Sequence, residues 1–296
     1  MTQSRRAGLA PLALIASMVS LCVGTSYAKA LFPVAGAGGM TALRIGLSML
    51  LLVAVQRPWR WRLSAVQARA VIGYGVVLAL MNLSFYAAVA RLPLGIAIAI
   101  EFLGPLSVAV LGSARRTDLV WVALAIAGVA MLVMAPDVAG RAIDPVGVVF
   151  ALLAAIGWAL YIIGGKHASA VVPEGQIVCL GLCAAAVIAV PVGVMEAGRV
   201  LLDPHVLAIG ALVALLCSAI PYSLELFALK RMPAATFGIL VSMEPAIGAL
   251  AALVVLGESI AVRQWLGIAA VVAASVGSIV TAARAPVVAP PVPLPG

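Results

Sequence analysis

Two glutamates lie inside long apolar stretches of this sequence, and each has a proline close behind it. The segment EFLGP places Glu101 shortly before Pro105, and the segment SMEPA places Glu244 directly before Pro245. Proline cannot donate a backbone hydrogen bond, so each proline frees a carbonyl one turn earlier and adds an acceptor near the carboxylate. The pattern predicts a site that binds an ammonium group or a proton. The alternative is that the prolines only shape helix packing.

Other polar side chains in the apolar stretches could complete such a site. Arg44 could attract a carboxylate, although it could equally pair with Glu101 or with a lipid phosphate. Glu225 could belong to the site, or it could reach the membrane surface beside Lys230. The remaining candidates share an amide, hydroxyl or aromatic group that either contacts a ligand or bonds between helices: Asn82, Tyr86, Trp158, Tyr161, Tyr222 and Ser242.

The composition identifies the elements that must position these residues. Hydrophobic residues make up 65% of the 296 residues and charged residues only 9%, and the mean hydropathy is +1.23. Soluble domains carry about 25% charged residues. A charged side chain at the centre of a membrane helix costs about 2.5–3.5 kcal/mol and therefore usually faces a bundle interior or a water-filled cavity. We therefore expect an all-α membrane protein with polar residues facing inward.

A hydrocarbon core about 30 Å thick needs about 20 helical residues to span it. Ten stretches of the sequence meet this requirement, near residues 9–31, 39–56, 68–90, 94–113, 117–135, 145–165, 175–195, 206–229, 233–256 and 262–282. The first stretch ends in Ala28-x-Ala30 and imitates a cleavable signal. Because its apolar run is long and everything after it is also apolar, we interpret it as the first spanning helix.

The distribution of basic residues predicts the orientation. With the N-terminus inside, twelve Lys and Arg residues fall in inside segments and four in outside loops. Cytoplasmic loops carry the excess of basic residues, so both termini are expected in the cytoplasm. The net charge of +8 is thereby explained by topology. No nucleic-acid partner is expected, because the sequence has no basic domain studded with aromatic residues.

The two halves of the sequence resemble each other. RLPLGIAIAIEFLGP, beginning at Arg91, matches RMPAATFGILVSMEP, beginning at Arg231, at an offset of 140 residues. Each copy holds five helices, and an odd number inverts the second copy relative to the membrane. The predicted fold is ten transmembrane helices in two inverted five-helix repeats, at residues 1–140 and 141–283. A disordered Pro-rich tail is expected at 284–296.

The sequence gives no sign of an enzyme, a cofactor or a metal site. It holds no phosphate-binding Gly loop, no HExxH motif and no GxSxG motif. The four cysteines lie in apolar runs, and no His, Asp or Glu accompanies the pair Cys179 and Cys183. We interpret the cysteines as small packing residues.

Four segments resemble the EamA branch of the drug/metabolite transporter superfamily, over roughly residues 10–282: ALRIGL, RLPLGIAIAIEFLGPLSVAV, AIPYSLELFALKRMP and SMEPAIGALAALVVLGE. They are most similar to the subgroup that exports threonine and homoserine. The resemblance implies a bacterial inner-membrane efflux carrier for small amino acids. It also implies a central cavity between the repeats and transport driven by the proton gradient.

On this interpretation, Glu101 and Glu244 would meet the substrate ammonium or carry the coupling proton, and Arg44 would meet the carboxylate. Export would proceed by alternating access, as a secondary carrier exchanging substrate for protons. An EamA-type exporter of amphipathic drugs or other small metabolites is the alternative. A membrane enzyme or sensor scaffold is a more distant one, because the loops are too short to hold a catalytic domain.

Overall fold

The chain folds into α-helices joined by short turns, in a computed structural model that describes residues 9–111, 118–134, 142–229, 231 and 234–283. Within these ranges no strand is present. The first half of the chain contains six helices: α1 (Ala10–Ala30), α2 (Phe32–Gln56), α3 (Ala65–Val89), α4 (Leu94–Glu101), α5 (Leu103–Leu111) and α6 (Asp118–Met134).

The second half contributes seven helices: α7 (Pro145–Ser169), α8 (Glu174–Ala197), α9 (Pro204–Ala214), α10 (Ile220–Leu229), α11 (Ala234–Val241), α12 (Glu244–Leu256) and α13 (Val262–Ala283). Between α9 and α10 the helix widens into a π-turn at Leu215–Ala219. Short 3₁₀ turns follow α2 at Pro58–Arg60 and α8 at Gly198–Leu202.

Local sequence explains where several helices begin. Ser64 starts α3 through a capping box, in which its side chain accepts from the Gln67 backbone and the Gln67 side chain accepts in return. Asp144 and Asp203 cap α7 and α9 by accepting backbone N–H groups of the first turn. Such caps satisfy donors that a helix start leaves unpaired.

A kink near the start of α2 brings the two halves together. Gly36 has φ 67° inside the helix, a left-handed conformation that glycine adopts without a steric penalty. The kink exposes the Gly38 backbone N–H, which donates to Oε2 of Glu196 at 2.8 Å. The beginning of α2 is thereby tied to the end of α8.

Seven helices within the described ranges are long and apolar enough to cross a membrane. Shorter apolar helices cover Leu94–Val108, Leu119–Met134 and Pro204–Ser218. Large apolar side chains such as Val55, Met195 and Val254 are 70%, 87% and 83% exposed, as expected where lipid is the solvent. The predicted all-helical membrane protein is therefore confirmed. The ten spans, the inverted repeats and the domain boundaries stay predictions. The predicted tail at 284–296 lies outside the described residues.

Most helix packing joins one half of the chain to the other. α1 packs on α10 and α12, α2 on α8, α3 on α7, α4 on α12, and α6 on α13. The crossing of α4 and α12 is tight, because a Cβ at Gly95 would lie 2.5 Å from the Cβ of Ala249. This crossing brings the two helices that end or begin at a buried glutamate into direct contact.

Candidate functional site

A cavity of about 360 Å³ lies among the helices that pack across the two halves. Helices from both halves line it, and most of its wall is apolar. Four charged residues interrupt this wall: Arg44, Glu101, Glu225 and Glu244. The cavity therefore combines carboxylates and a guanidinium within an apolar enclosure, which is the usual composition of a small-molecule site.

Two helix breaks position the deepest carboxylates. α4 ends at Glu101 and the chain resumes as α5 at Leu103, whereas α12 begins at Glu244 after α11 has ended at Val241. Glu101 is 7% exposed and Glu244 is 8% exposed. Glu244 lies in the first helical turn, where the positive end of the helix dipole favours a negative charge. Interrupted backbone of this kind occurs at membrane depth where it lines a cavity or is buried in protein.

The charges lie close enough to act on one another. Glu244 acts electrostatically on Glu101 and Glu225 acts on Glu244, whereas the charge of Arg44 opposes both effects. The Arg44 guanidinium also lies over the ring of Tyr86, 5.6 Å from its centroid, in the arrangement of a cation–π contact. Arg44 therefore faces the protein interior rather than a lipid phosphate.

The three glutamates differ in their hydrogen bonding. Ser17 donates to Oε1 of Glu225 at 2.8 Å. No described residue donates a hydrogen bond to the carboxyl groups of Glu101 and Glu244. Buried polar groups normally have a partner, so these two carboxyl groups are available to a ligand or a proton.

Amide and aromatic side chains complete the polar part of the wall. Asn82, Trp158 and Tyr161 line the cavity. Trp158 packs edge-on against Phe102 at a centroid distance of 5.5 Å, and Tyr161 lies 5.0 Å from the ring of Tyr74. These contacts hold the two aromatic rings in fixed positions beside the carboxylates.

The remaining sequence-predicted residues differ in their positions relative to the cavity. Tyr86 is fully buried behind the wall, against Phe32 and Arg44. Ser242 is also fully buried and hydrogen-bonds to Ser275 at 2.7 Å. Pro105 lines the cavity, whereas Pro245 is buried beside it. Tyr222 belongs to α10, but its side chain lies outside the described part of the structure.

A polar network joins the halves near the end of α1, beside one end of the cavity. Lys29 at the end of α1 forms an ion pair with Glu258 and donates to the Leu92 carbonyl at 2.6 Å. The Leu94 N–H donates to the other oxygen of Glu258 at 2.9 Å. The cavity wall begins about one turn away, at Thr25. The network therefore lies beside this end of the cavity.

Sequence reasoning missed part of the wall. Cys22 and Cys217, interpreted as packing residues, both line the cavity, and so does Thr25. The pairing of Ser17 with Glu225 was not predicted either. The signal for this part of the wall was weak: Cys22 and Thr25 are three residues apart and so share a face of α1. Within the described residues no group of three or more His, Cys, Asp or Glu side chains could hold a metal ion.

Comparison with known proteins identifies close relatives of this sequence. The threonine/homoserine exporter RhtA of Escherichia coli K12 is 44% identical over 270 residues, covering 90% of each chain. The protein of that name from Salmonella typhimurium LT2 is 43% identical over 277 residues, covering 93% of this chain and 92% of its own. These relatives are exporters, which confirms the prediction that the chain is not an enzyme.

Fold and family comparisons agree with this similarity. A solved crystal structure superposes with a TM-score of 0.59 over 93% of this chain and 97% of its own, at 17% identity. That likeness shows a shared fold only. The EamA-like transporter family matches residues 145–280. Taken with the 44% identity over 90% of the chain, this match shows that the chain belongs to the EamA-like transporter family.

Proposed function

We propose that this protein is a secondary active exporter of small amino acids of the threonine and homoserine type. It would work in the bacterial inner membrane, with both termini in the cytoplasm. The observation that carries the proposal is that the carboxyl groups of Glu101 and Glu244 face one cavity together with Arg44 and accept no hydrogen bond from the described residues. The names of the relatives support the choice of substrate.

The charges of the cavity complement an amino-acid zwitterion. A carboxylate of Glu101 or Glu244 would accept from the substrate ammonium, and Arg44 would donate to the substrate carboxylate. Hydrogen bonds between charged groups are about twice as strong as neutral ones. The volume of about 360 Å³ also lies within the range of about 300–1,000 Å³ typical of small-molecule sites.

The packing of the helices supports alternating access between inverted repeats. The ten predicted spans are numbered here in chain order. Span one packs on span eight, and span three packs on span six. Span two packs on span seven, span four on span nine, and span five on span ten. A rotation that exchanges span n with span n+5 maps this set of pairs onto itself. Such symmetry is typical of carriers whose halves rock around a site at mid-membrane.

Proton coupling would use the same carboxyl groups. Carboxylates within membrane spans commonly form proton relays in transporters. A glutamate that binds either a proton or the substrate ammonium would exchange one for the other across the membrane. Of the three glutamates, Glu101 and Glu244 fit this role better than Glu225, because Glu225 already accepts from Ser17.

The test is counterflow of labelled threonine and homoserine in proteoliposomes, with and without a pH gradient. We expect counterflow by the unmodified protein and acceleration by a gradient that is acidic outside. Glu101→Gln or Glu244→Gln should lower counterflow at least tenfold, because each removes a charge from the site. At least one of the two variants should also lose its response to the gradient.

Asp203→Asn is the matched control. Asp203 caps α9 away from the cavity, and asparagine keeps a capping oxygen. This variant should transport at the unmodified rate. Unchanged rate and unchanged pH dependence in both glutamine variants would contradict the proposal.

A wider cargo range is the second candidate. It is favoured by the apolar side chains of the wall, among them Met18, Met81, Phe85 and Phe237. Met-rich and aromatic surfaces adapt to varied ligands. Counterflow with a panel of labelled amphipathic drugs separates the candidates, since an amino-acid carrier should leave the drugs untransported.

A further inference from the structure

The neutral polar groups of the cavity wall are not equally available for binding. The hydroxyl of Thr25 already donates to the Leu21 carbonyl at 2.9 Å. Asn82 uses its Nδ2 to donate to the Leu78 carbonyl at 2.8 Å, which leaves Oδ1 as its remaining polar atom. Within the described part of the chain nothing donates to that oxygen. Asn82 is 6% exposed, so its Oδ1 is a largely buried acceptor on the cavity wall.

Trp158 offers the complementary group. Its indole N–H has no acceptor among the described residues, although the ring is fixed edge-on against Phe102. Buried or half-buried indole N–H groups usually find a partner. With respect to the described residues, the wall thus contains an unused donor on Trp158 and an unused acceptor on Asn82.

Helix packing places these two groups on adjoining parts of the wall. α7 passes so close to α3 that a Cβ at Gly157 would lie 2.9 Å from the Cβ of Met81. Asn82 directly follows Met81, and Trp158 directly follows Gly157. Both residues therefore lie at this crossing, and both line the cavity. A Cβ at Gly104 would lie 3.1 Å from the Cβ of Trp158, so Trp158 also adjoins the break that carries Glu101.

We infer that Asn82 and Trp158 form a subsite for a hydroxyl group on the substrate side chain. The inference rests on the proposed amino-acid transport and adds the part of the substrate that is selected. A hydroxyl group donates one hydrogen bond and accepts others, so it would donate to Oδ1 of Asn82 and accept from the Trp158 N–H. An isosteric methyl group would leave both protein groups unpaired, which costs more than the bond itself contributes.

The test compares substrates that differ only by hydroxyl and methyl: threonine with valine, and homoserine with norvaline. The measured quantity is the ratio of inhibition constants within each pair, from competition against labelled threonine counterflow. The unmodified protein should prefer each hydroxylated member by about tenfold or more, the equivalent of one satisfied hydrogen bond. Asn82→Leu and Trp158→Phe should each bring the ratio towards one while threonine is still transported.

Thr41→Val is the matched control. Thr41 is fully buried, its hydroxyl donates to the Ala37 carbonyl at 2.8 Å, and it does not line the cavity, so the ratio should not change. Trp158→Phe keeps the ring against Phe102 and provides a second reading if Asn82→Leu fails to fold.

The outcomes separate this inference from the proposed function. Threonine transport with no preference over valine, or with a preference that survives both substitutions, would overturn the subsite and leave the transporter standing. If threonine is not transported, the same ratios are measured from ligand-induced thermal stabilisation of the purified protein. Stabilisation by valine equal to that by threonine would then overturn the subsite as well.

Discussion

Arg44 is the one cation among the described residues of the cavity wall, and it acts on Glu101 and Glu244 alike. The guanidinium of Arg44 lies over the ring of Tyr86. A guanidinium presents a planar donor fork that matches the geometry of a carboxylate. At the scale of residues, the wall presents one cation and three carboxyl groups, which would contact the carboxylate and the ammonium of a zwitterion respectively.

Replacing this cation should weaken substrate binding more than it slows movement of the carrier. We expect Arg44→Gln to raise the half-saturation concentration for threonine by about 10- to 100-fold, since hydrogen bonds to charged groups contribute about 1.5–3 kcal/mol. Concentration-dependent counterflow measures this change. Arg69→Gln, which alters an exposed arginine of α3, is the control. Arg44→Gln with unchanged half-saturation would remove Arg44 from the substrate site.

The sequence anticipated individual residues unevenly, and for a physical reason. Glu101 and Glu244 could be singled out because a carboxylate in oil is costly wherever it occurs. By contrast, the partners Ser17 and Glu225 lie 208 positions apart, and no local pattern connects them. Tyr86 and Ser242, like Asn82, are polar residues within apolar stretches. They lie on helix faces that do not line the cavity, and the sequence alone does not determine which face of a helix points inward.

Helices and their ends give a second level of organisation. The apolar runs and the prolines near residues 101 and 244 were visible in the sequence, because helix length and proline act locally. Which helix packs on which was not visible, since apolar surfaces in lipid discriminate little between partners. The network at Lys29 illustrates the limit, because it joins α1 to the α3–α4 turn and to the segment after α12.

Breaking that network should open the outer end of the cavity. Glu258→Gln removes the charge facing Lys29 but keeps an oxygen for the Leu94 N–H. We expect a cysteine placed at Ile98, a wall residue one turn after Leu94 in α4, to react several-fold faster with a membrane-impermeant maleimide added outside. Asp144→Asn, which weakens the exposed Arg91–Asp144 pair at 3.8 Å, serves as the control. Equal reaction rates with and without Glu258→Gln would show that the network does not close the cavity.

The whole molecule consists of two sets of helices that contact mainly each other. The pairs α1 with α10, α3 with α7 and α4 with α12 all cross from one half to the other, and the cavity lies where they meet. The outward face is covered with apolar side chains. The charged side chains are therefore buried between the two halves, and the apolar side chains cover the outside, where lipid surrounds the protein.

We propose above all that Glu101 and Glu244 face a water-accessible, substrate-binding cavity. Cysteine labelling in a background without the four native cysteines tests this most directly, with reporters at Val241 and Met81 on the wall and at Ala189, which is buried elsewhere in the bundle. We expect a small water-soluble thiol reagent to modify the first two positions and not the third, and threonine to slow both modifications. Failure of both wall positions to react from either face of the membrane, or unchanged rates with threonine, would contradict a substrate-binding cavity at these glutamates.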